Sequence, residues 1–215
     1  MDSSQDYKTQ LKEHLKDVEG FSPTTYDDGK GNPTVGYGFN LNSPDTVGYM
    51  RLHGLDPDRM KTEGMQQQDA DTIQDFILNK DQEKLNQKLP DIFNQLPSNQ
   101  QAAIGSLHYN SPKLIGPNLT NYIANGDNLN AAREILANSN KNKELGIGFR
   151  RMKEADMFSG GNLGDVVKIL SPEEKAGIMD MINNSDNENV KRDIIQKYGD
   201  ALGLSPQKIS FNKLK

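Results

Sequence analysis

Glu19-Gly20-Phe21-Ser22-Pro23-Thr24-Thr25-Tyr26-Asp27-Asp28-Gly29-Lys30-Gly31-Asn32-Pro33-Thr34-Val35-Gly36-Tyr37-Gly38 places one carboxylate at a helix end and another in a glycine-rich turn just downstream. Upstream, Tyr7, Leu11, Leu15 and Val18 recur at helical spacing, with Asp6, Lys8, Lys12, Glu13 and Lys16 off that stripe. This is the pattern of an amphipathic helix resting on a core. Glu19 follows the last apolar residue, and Gly20 can stop the helix because a left-handed residue costs glycine no Cβ clash. A carboxyl on the last turn meets the negative end of the helix dipole and loses solvation where neighbours cover it. Both effects favour the neutral form, the state a general acid needs near neutral pH.

Downstream, Tyr26-Asp27-Asp28 and Thr34-Val35-Gly36-Tyr37 are strand-like pieces around Gly29-Lys30-Gly31-Asn32-Pro33, which predicts a β-hairpin with an irregular tip. An aspartate in such an open turn stays solvated and ionised. It can polarise a water while Glu19 protonates a leaving oxygen, and the Thr34 hydroxyl can hold that water. With Asp and Glu totalling 30 in the chain, carboxylates this close in sequence are commonly surface charges. Spacing alone therefore leaves both readings open.

The order Glu19-Gly, Tyr26-x-Asp28 and Thr34-Val-Gly-Tyr-Gly38 resembles the active-site signature of the phage-type lysozymes and endolysins, glycoside hydrolase family 24. Three further blocks continue the resemblance. Leu96-Pro-Ser-Asn-Gln-Gln-Ala-Ala-Ile-Gly-Ser-Leu-His-Tyr-Asn110 is similar to the family's buried helix, and Ala124-Asn-Gly-Asp-Asn-Leu-Asn-Ala-Ala132 to its helix-turn-helix. Gly146-Ile-Gly-Phe-Arg-Arg-Met-Lys-Glu-Ala-Asp-Met-Phe158 resembles its closing segment. The resemblance implies an α+β, mostly α, two-lobed fold: an N-terminal lobe over about 1–68 with a small β-hairpin sheet, a connecting helix over about 69–89 and a helical lobe over about 90–158. It makes Glu19 the general acid, Asp28 the carboxylate that positions water and Thr34 the third member of the site. Asp27 is the rival for the second role. It would alternate to the other face of a regular strand. Gly36 and Gly38 would let backbone pass close to a sugar chain or, equally, relieve strain in a short hairpin.

The chain also departs from the family. Phe39-Asn40 stands where many relatives have His-Leu, which alters a glycan contact expected at Gly38 and Asn40. His108 occupies a place where relatives often present an aromatic to the cleft, so it is a candidate for stacking on the glycan, with helix packing as the alternative. There is no Trp, although relatives often carry one before the Arg-Arg segment. Arg150-Arg151 is the only adjacent arginine pair, and its family position suggests a structural bridge within the closing helices.

Composition narrows the classes. At 215 residues the chain can bury a sizeable core. Hydrophobic content of 33% is low, an effect of abundant Asn, Gln and Lys, but the helical stripes stay continuous. No cysteine is present, so neither a disulfide framework nor a thiol nucleophile is available. His14, His53 and His108 are widely separated, without partners at ligand spacing, and the reading expects no metal and no cofactor. Ser3-Ser4 and Ser98 lack a nucleophile-elbow context, and Gly29-Lys30-Gly31 lacks the phosphate-loop pattern. Residues 159–215 hold eight acids and eight bases, so the net charge of −5 lies in residues 1–158. Clustered Lys and Arg for nucleic acid are missing. A basic surface would have speeded encounter with an anionic cell wall, and this chain forgoes it. The first twenty residues are polar, without a run for a signal peptide or membrane anchor. The expectation is host cytoplasm with delivery to the periplasm by another factor, or association with the virion.

The central segment is punctuated by Ser43-Pro44-Asp45 and Asp56-Pro57-Asp58, with one short helix between them. Asp69 to Leu89 reads as a long helix with Ile73, Phe76, Ile77, Lys80, Lys84 and Leu85 near one side. Beyond Phe158, Ser159-Gly160-Gly161-Asn162 reads as a hinge. Ser171-Pro172-Glu173-Glu174 is a strong helix start, and Asn187 to Leu202 a second helix with Val190, Ile194, Ile195 and Tyr198 on one face. Residues 159–215 are thus a helical extension, packed on the body or docking a virion or tail protein. The functions that follow are a monomeric, inverting muramidase acting on peptidoglycan in late lysis or at infection, a glycan-binding virion or tail component, or a lytic transglycosylase. The last needs the acid but no water-activating aspartate.

Overall fold

A computed structural model of the chain describes residues 3–138 and 144–204; residues 205–215 of the expected extension lie outside the described residues. The architecture is mostly helical, with eleven α-helices and one three-stranded sheet among the described residues. Two units emerge, Met1–Phe93 and Asn94–Lys215. None of the described helices is long and apolar enough to cross a membrane.

In the first unit, α1 (Ser3–Glu19) buries Tyr7, Leu11 and Leu15 as its stripe predicts, and His14 beside them. Gly20 ends it at φ 69°. The chain then forms β1 (Ser22–Asp27), β2 (Pro33–Gly36) and β3 (Phe39–Asn40), an antiparallel meander in that order. The third strand is a finding beyond the predicted hairpin. Gly36 and Gly38, at φ 66° and 81°, turn the backbone so that Val35 pairs with Phe39 and Thr34 with Asn40. Val35 and Phe39 are buried on the core face with Tyr37, Leu41, Met50 and Met65. Tyr26, Thr34 and Asn40 form the row across the other face, because directly paired residues share a side.

A Cβ on Gly36 would stand 2.9 Å from the Phe39 ring and 3.0 Å from the Met65 sulfur. Positive φ adds a steric cost that only glycine escapes. Gly36→Ala is therefore expected to lower stability by about 1–3 kcal/mol, read as a reduced urea midpoint. An unchanged midpoint would show that the turn relaxes freely.

The central segment holds two short helices where the sequence predicts one. They are α2 (Pro44–Leu52), capped by Ser43, and α3 (Pro57–Glu63), capped by Asp56, each with proline in its first turn. The second punctuating triplet is itself a helix start. α4 (Gln67–Lys88) follows. It buries Ala70, Ile73, Gln74, Leu78 and Leu85, which shifts the expected stripe. Lys84 is exposed beside Asp81 at 3.6 Å, and Lys80 pairs with Glu83 at 3.0 Å. These lysines neutralise acids one turn away, and Leu78 takes the inward position.

The second unit is helical: α5 (Ser98–Asn110), α6 (Pro117–Ala124), α7 (Asn128–Asn138), α8 (Leu145–Phe158), α9 (Leu163–Lys168), α10 (Pro172–Asn184) and α11 (Glu188–Leu202). α5 is buried over Gln100–His108 and packs on α8, which also touches α7. The helices past Phe158 pack on these: α9 on α7 and α8, α10 on α8, α11 on α8 and α9. Arg133 of α7 forms a two-pronged pair with Glu174 of α10 at 3.0 and 2.9 Å. Phe149 of α8 meets Tyr198 of α11 edge-on at 6.2 Å. Ser171 and Glu174 close a reciprocal capping box at the start of α10, and Ile194, Ile195 and Tyr198 are buried on the predicted face of α11. Ser159–Gly161 is a tight turn whose Gly161 N–H donates to the Asp156 carbonyl at 2.8 Å.

Candidate active site

Glu19 is the last residue of α1 and half-buried. Opposite it lies the β2–β3 turn. A Cβ on Gly38 would come within 3.6 Å of the Glu19 Oε2 atom, so the carboxyl lies directly against that backbone. A larger residue there would stand between Glu19 and the space above the turn.

Asp28 sits just past β1, so strand alternation no longer fixes its side; hydrogen bonding does. Its Oδ1 accepts the Lys30 N–H at 2.8 Å and the Asn32 N–H at 3.1 Å, and its Oδ2 accepts the Asn32 side-chain amide at 2.9 Å. The Asn32 amide, then the Lys30 N–H, hold this exposed carboxyl below its ordinary range. The sign follows. A carboxyl lowered on folding adds stability above its ordinary range and loses it as pH falls through the lowered one. Asp28 therefore stays ionised, and the turn braced, into mildly acidic solution. Asp27 braces the same turn through one oxygen only, its Oδ1 accepting the N–H groups of Gly29 at 2.7 Å and Gly31 at 3.1 Å.

Thr34 is buried in β2, and its hydroxyl donates to the Asn32 carbonyl at 3.2 Å. Asn32 thus joins two predicted site residues, Asp28 and Thr34, a role that reading the sequence missed because Asn in a Gly-rich turn looks like ordinary turn chemistry. Tyr26, 42% exposed, is the directly paired neighbour of Thr34. Partial burial and then the charges of Glu19 and Asp28 push its phenol up.

Asn40 and His108 are engaged differently from the way the sequence suggests. The Asn40 Oδ1 accepts the Asn42 N–H at 2.7 Å, an Asx turn that leads into α2 and occupies its acceptor. His108 lies in α5 of the second unit at 4% exposure. A ring so covered has no open face for a sugar, which favours the packing alternative. Arg150 and Arg151 are likewise buried in the second unit, both on Glu154, as bridges from α8 to α5.

A family model described as phage lysozyme matches residues 16–154, which begins three residues before Glu19 and ends at Glu154. No curated protein matches the chain.

Proposed function

The chain belongs to the phage lysozyme family, and from that premise, which carries a peptidoglycan-lytic, lysozyme-like function, we propose that it is a muramidase. It hydrolyses the β-1,4 bond between N-acetylmuramic acid and N-acetylglucosamine with inversion. The placing of Glu19 against Gly38 in the β2–β3 turn, with Asp28 fixed by three donors in the β1–β2 turn of the same sheet, is the observation that carries this reading. The Glu19 carboxyl gives its proton to the glycosidic oxygen as the C1–O bond breaks. The Asp28 carboxylate takes a proton from the water that attacks C1 from the opposite side. Three hydrogen-bond donors fix the Asp28 carboxylate before substrate arrives, so no reorganisation is needed at that step. The Thr34 hydroxyl, buried in β2 and donating to the Asn32 carbonyl, helps to hold the turn that carries Asp28. This chemistry serves late lysis and wall opening at infection equally.

Asp28→Asn tests the assignment. The amide cannot accept a proton, and it replaces an acceptor with a donor facing the Lys30 or Asn32 N–H groups. Turnover of purified peptidoglycan is expected to fall by about 10²-fold, while Asp27→Asn stays within a few-fold of the parent. The reverse ranking would move the role to Asp27. Mass spectrometry of the products decides the reaction class: reducing muramic ends support hydrolysis, whereas anhydro-muramic ends with an active Asp28→Asn variant would establish a lytic transglycosylase.

A further inference from the structure

β1 does not run in step with β2. From Ser22, paired with Gly36, to Tyr26, paired with Thr34, β1 advances four residues while β2 goes back two. Pro23, Thr24 and Thr25 thus face a single residue, Val35, and the extra length is taken up as a bulge. Proline suits such a place because it has no N–H to give to the ladder. Two residues of regular strand would span about 6–7 Å. The bulge absorbs that length between Ser22 and Asp27, the first and last residues of β1.

A bulge removes ladder partners, so its polar groups must find others. The Pro23 carbonyl accepts the Met65 N–H at 2.8 Å, and the Thr25 hydroxyl donates to the Met60 carbonyl at 2.8 Å. Met60 belongs to α3 and Met65 lies between α3 and α4, so one segment fastens the bulge twice. The Met60 carbonyl also accepts the Gly64 N–H at 3.0 Å, where α3 ends. Within the bulge, the Ser22 hydroxyl donates to the Thr24 carbonyl at 2.6 Å.

Gly64 makes this approach possible. Its φ is 77°, and a Cβ there would overlap the Pro23 carbonyl oxygen and stand 3.1 Å from the carbonyl carbon and 3.4 Å from the Thr24 Cα. All three are backbone atoms, which cannot swing aside as a side chain can. Met65 reaches the next turn as well, its sulfur lying 3.0 Å from where a Cβ on Gly36 would be.

The clamped bulge stands between the two candidate carboxylates. Glu19 is three residues before Ser22, and Asp28 directly follows Asp27. Asp28 is tied to its own turn through Lys30 and Asn32, so it travels with the Tyr26 end of β1. The Glu19 carboxyl lies against Gly38, two residues beyond the Gly36 partner of Ser22. The carboxyls of an inverting pair stand about 6.5–9.5 Å apart. Strand slack of about 6–7 Å is therefore large enough to decide whether a water fits between them.

We propose that Gly64 is a positioning residue: by letting the backbone between α3 and α4 clamp the β1 bulge, it sets how far the Asp28 turn stands from Glu19. Thr25 is the second fastening of the same clamp. The inference rests on the muramidase reading for its consequence in turnover, but the strand register can be measured without activity.

Five proteins are compared as full chains: the parent, Gly64→Ala, Thr25→Val, Thr25→Ser and Leu85→Ala. Leu85 is buried in α4, about 27 Å along the helix from Gln67, so its truncation destabilises the same unit away from the bulge. In Gly64→Ala, kcat on purified peptidoglycan is expected to fall about 10²-fold with KM near the parent value, the cost of misplacing reacting groups by about 1 Å. Leu85→Ala keeps the parent kcat below its own melting temperature. Thr25→Val lowers kcat about threefold, and Thr25→Ser, which keeps the hydroxyl, restores it. By NMR, the cross-strand contact between Ser22 and Gly36 is expected to be lost in Gly64→Ala while that between Tyr26 and Thr34 remains. A folded Gly64→Ala protein with the parent kcat or an unmoved Ser22–Gly36 contact, or a kcat loss that Leu85→Ala shares, overturns the proposal. Where Gly64→Ala does not fold, the threonine pair decides: the parent kcat in Thr25→Val, or no recovery in Thr25→Ser, overturns it. Full activity in Glu19→Gln would remove the muramidase reading, and the Ser22–Gly36 contact would still report whether Gly64 sets the register.

Discussion

Glu19→Gln is expected to lower peptidoglycan turnover by ~10²–10⁴-fold, the usual worth of a positioned general acid, with little change in melting temperature. Glutamine keeps the length and hydrogen-bonding capacity of the side chain but has no acidic proton. Glu19 lies at the end of α1 with its carboxyl against Gly38, and the turn there leaves room for the amide. KM should stay near the parent value, since the proton is transferred only as the glycosidic bond breaks, and an interaction made in the transition state alone appears in kcat. Turnover is measured by release of reducing ends from purified peptidoglycan, with thermal unfolding as the control. A folded Glu19→Gln protein that works near the parent rate would remove Glu19 from the mechanism, and with it the division of labour between the two carboxyls.

How far the sequence leads depends on how local each device is. The α1 stripe was legible because Tyr7, Leu11 and Leu15 report burial through one period, and all three are in the core. The Ser171 cap was legible because a cap and its N–H partner lie within three residues of each other, whereas Asp56, a cap of the same kind, was read as loop punctuation. The strand Phe39–Asn40 was hidden, since two residues carry no alternation and their pairing depends on the turn at Gly36 and Gly38. α4 misled for a different reason. Its charges alternate with its apolar residues, so Lys84 could be set on the inward side in place of Leu78 until the Lys84–Asp81 contact placed it outside.

At the candidate site, Glu19, Asp28 and Thr34 were proposed from motif order, whereas the bonds of Asn32 to Asp28 and Thr34 were not foreseen. Asn32 works through a bond pattern that any tight turn could have. The Asp71 carboxylate likewise bonds to Lys16 and Tyr37, far from either in sequence. The spacing of Lys8, Lys12 and Lys16 was visible as a polar face, but a polar face does not announce its partners. His108 shows the converse: family position suggested a cleft role, and burial within α5 points to packing.

The largest stability effect is expected at Glu154. Its carboxylate is wholly buried in α8, and its Oε1 accepts the Ser106 hydroxyl at 2.5 Å and the Arg150 Nε–H at 3.0 Å. Its Oε2 accepts from Arg151, which also donates to Asn110, and Arg150 reaches the Ser106 carbonyl at 3.1 Å. One wholly buried acid thus bonds to two arginines that are 6% and 1% exposed. Removing one member of a buried ion network leaves uncompensated charge, at a cost of about 3–5 kcal/mol. Glu154→Gln is therefore expected to lower the melting temperature by roughly 10 °C, at ~2–4 °C per kcal/mol for a chain of this size. The loss should concentrate in the second unit, so amides of α5 and α8 should exchange with solvent faster by a corresponding factor while those of α1 and α4 change least. A triple variant, Arg150→Met/Arg151→Met/Glu154→Leu, removes the charges together and should recover much of the loss, because apolar side chains of similar volume need no charge compensation in a buried site. A Glu154→Gln protein within about 1 kcal/mol of the parent would mean that water reaches the arginines and that α5 and α8 are held by apolar packing alone.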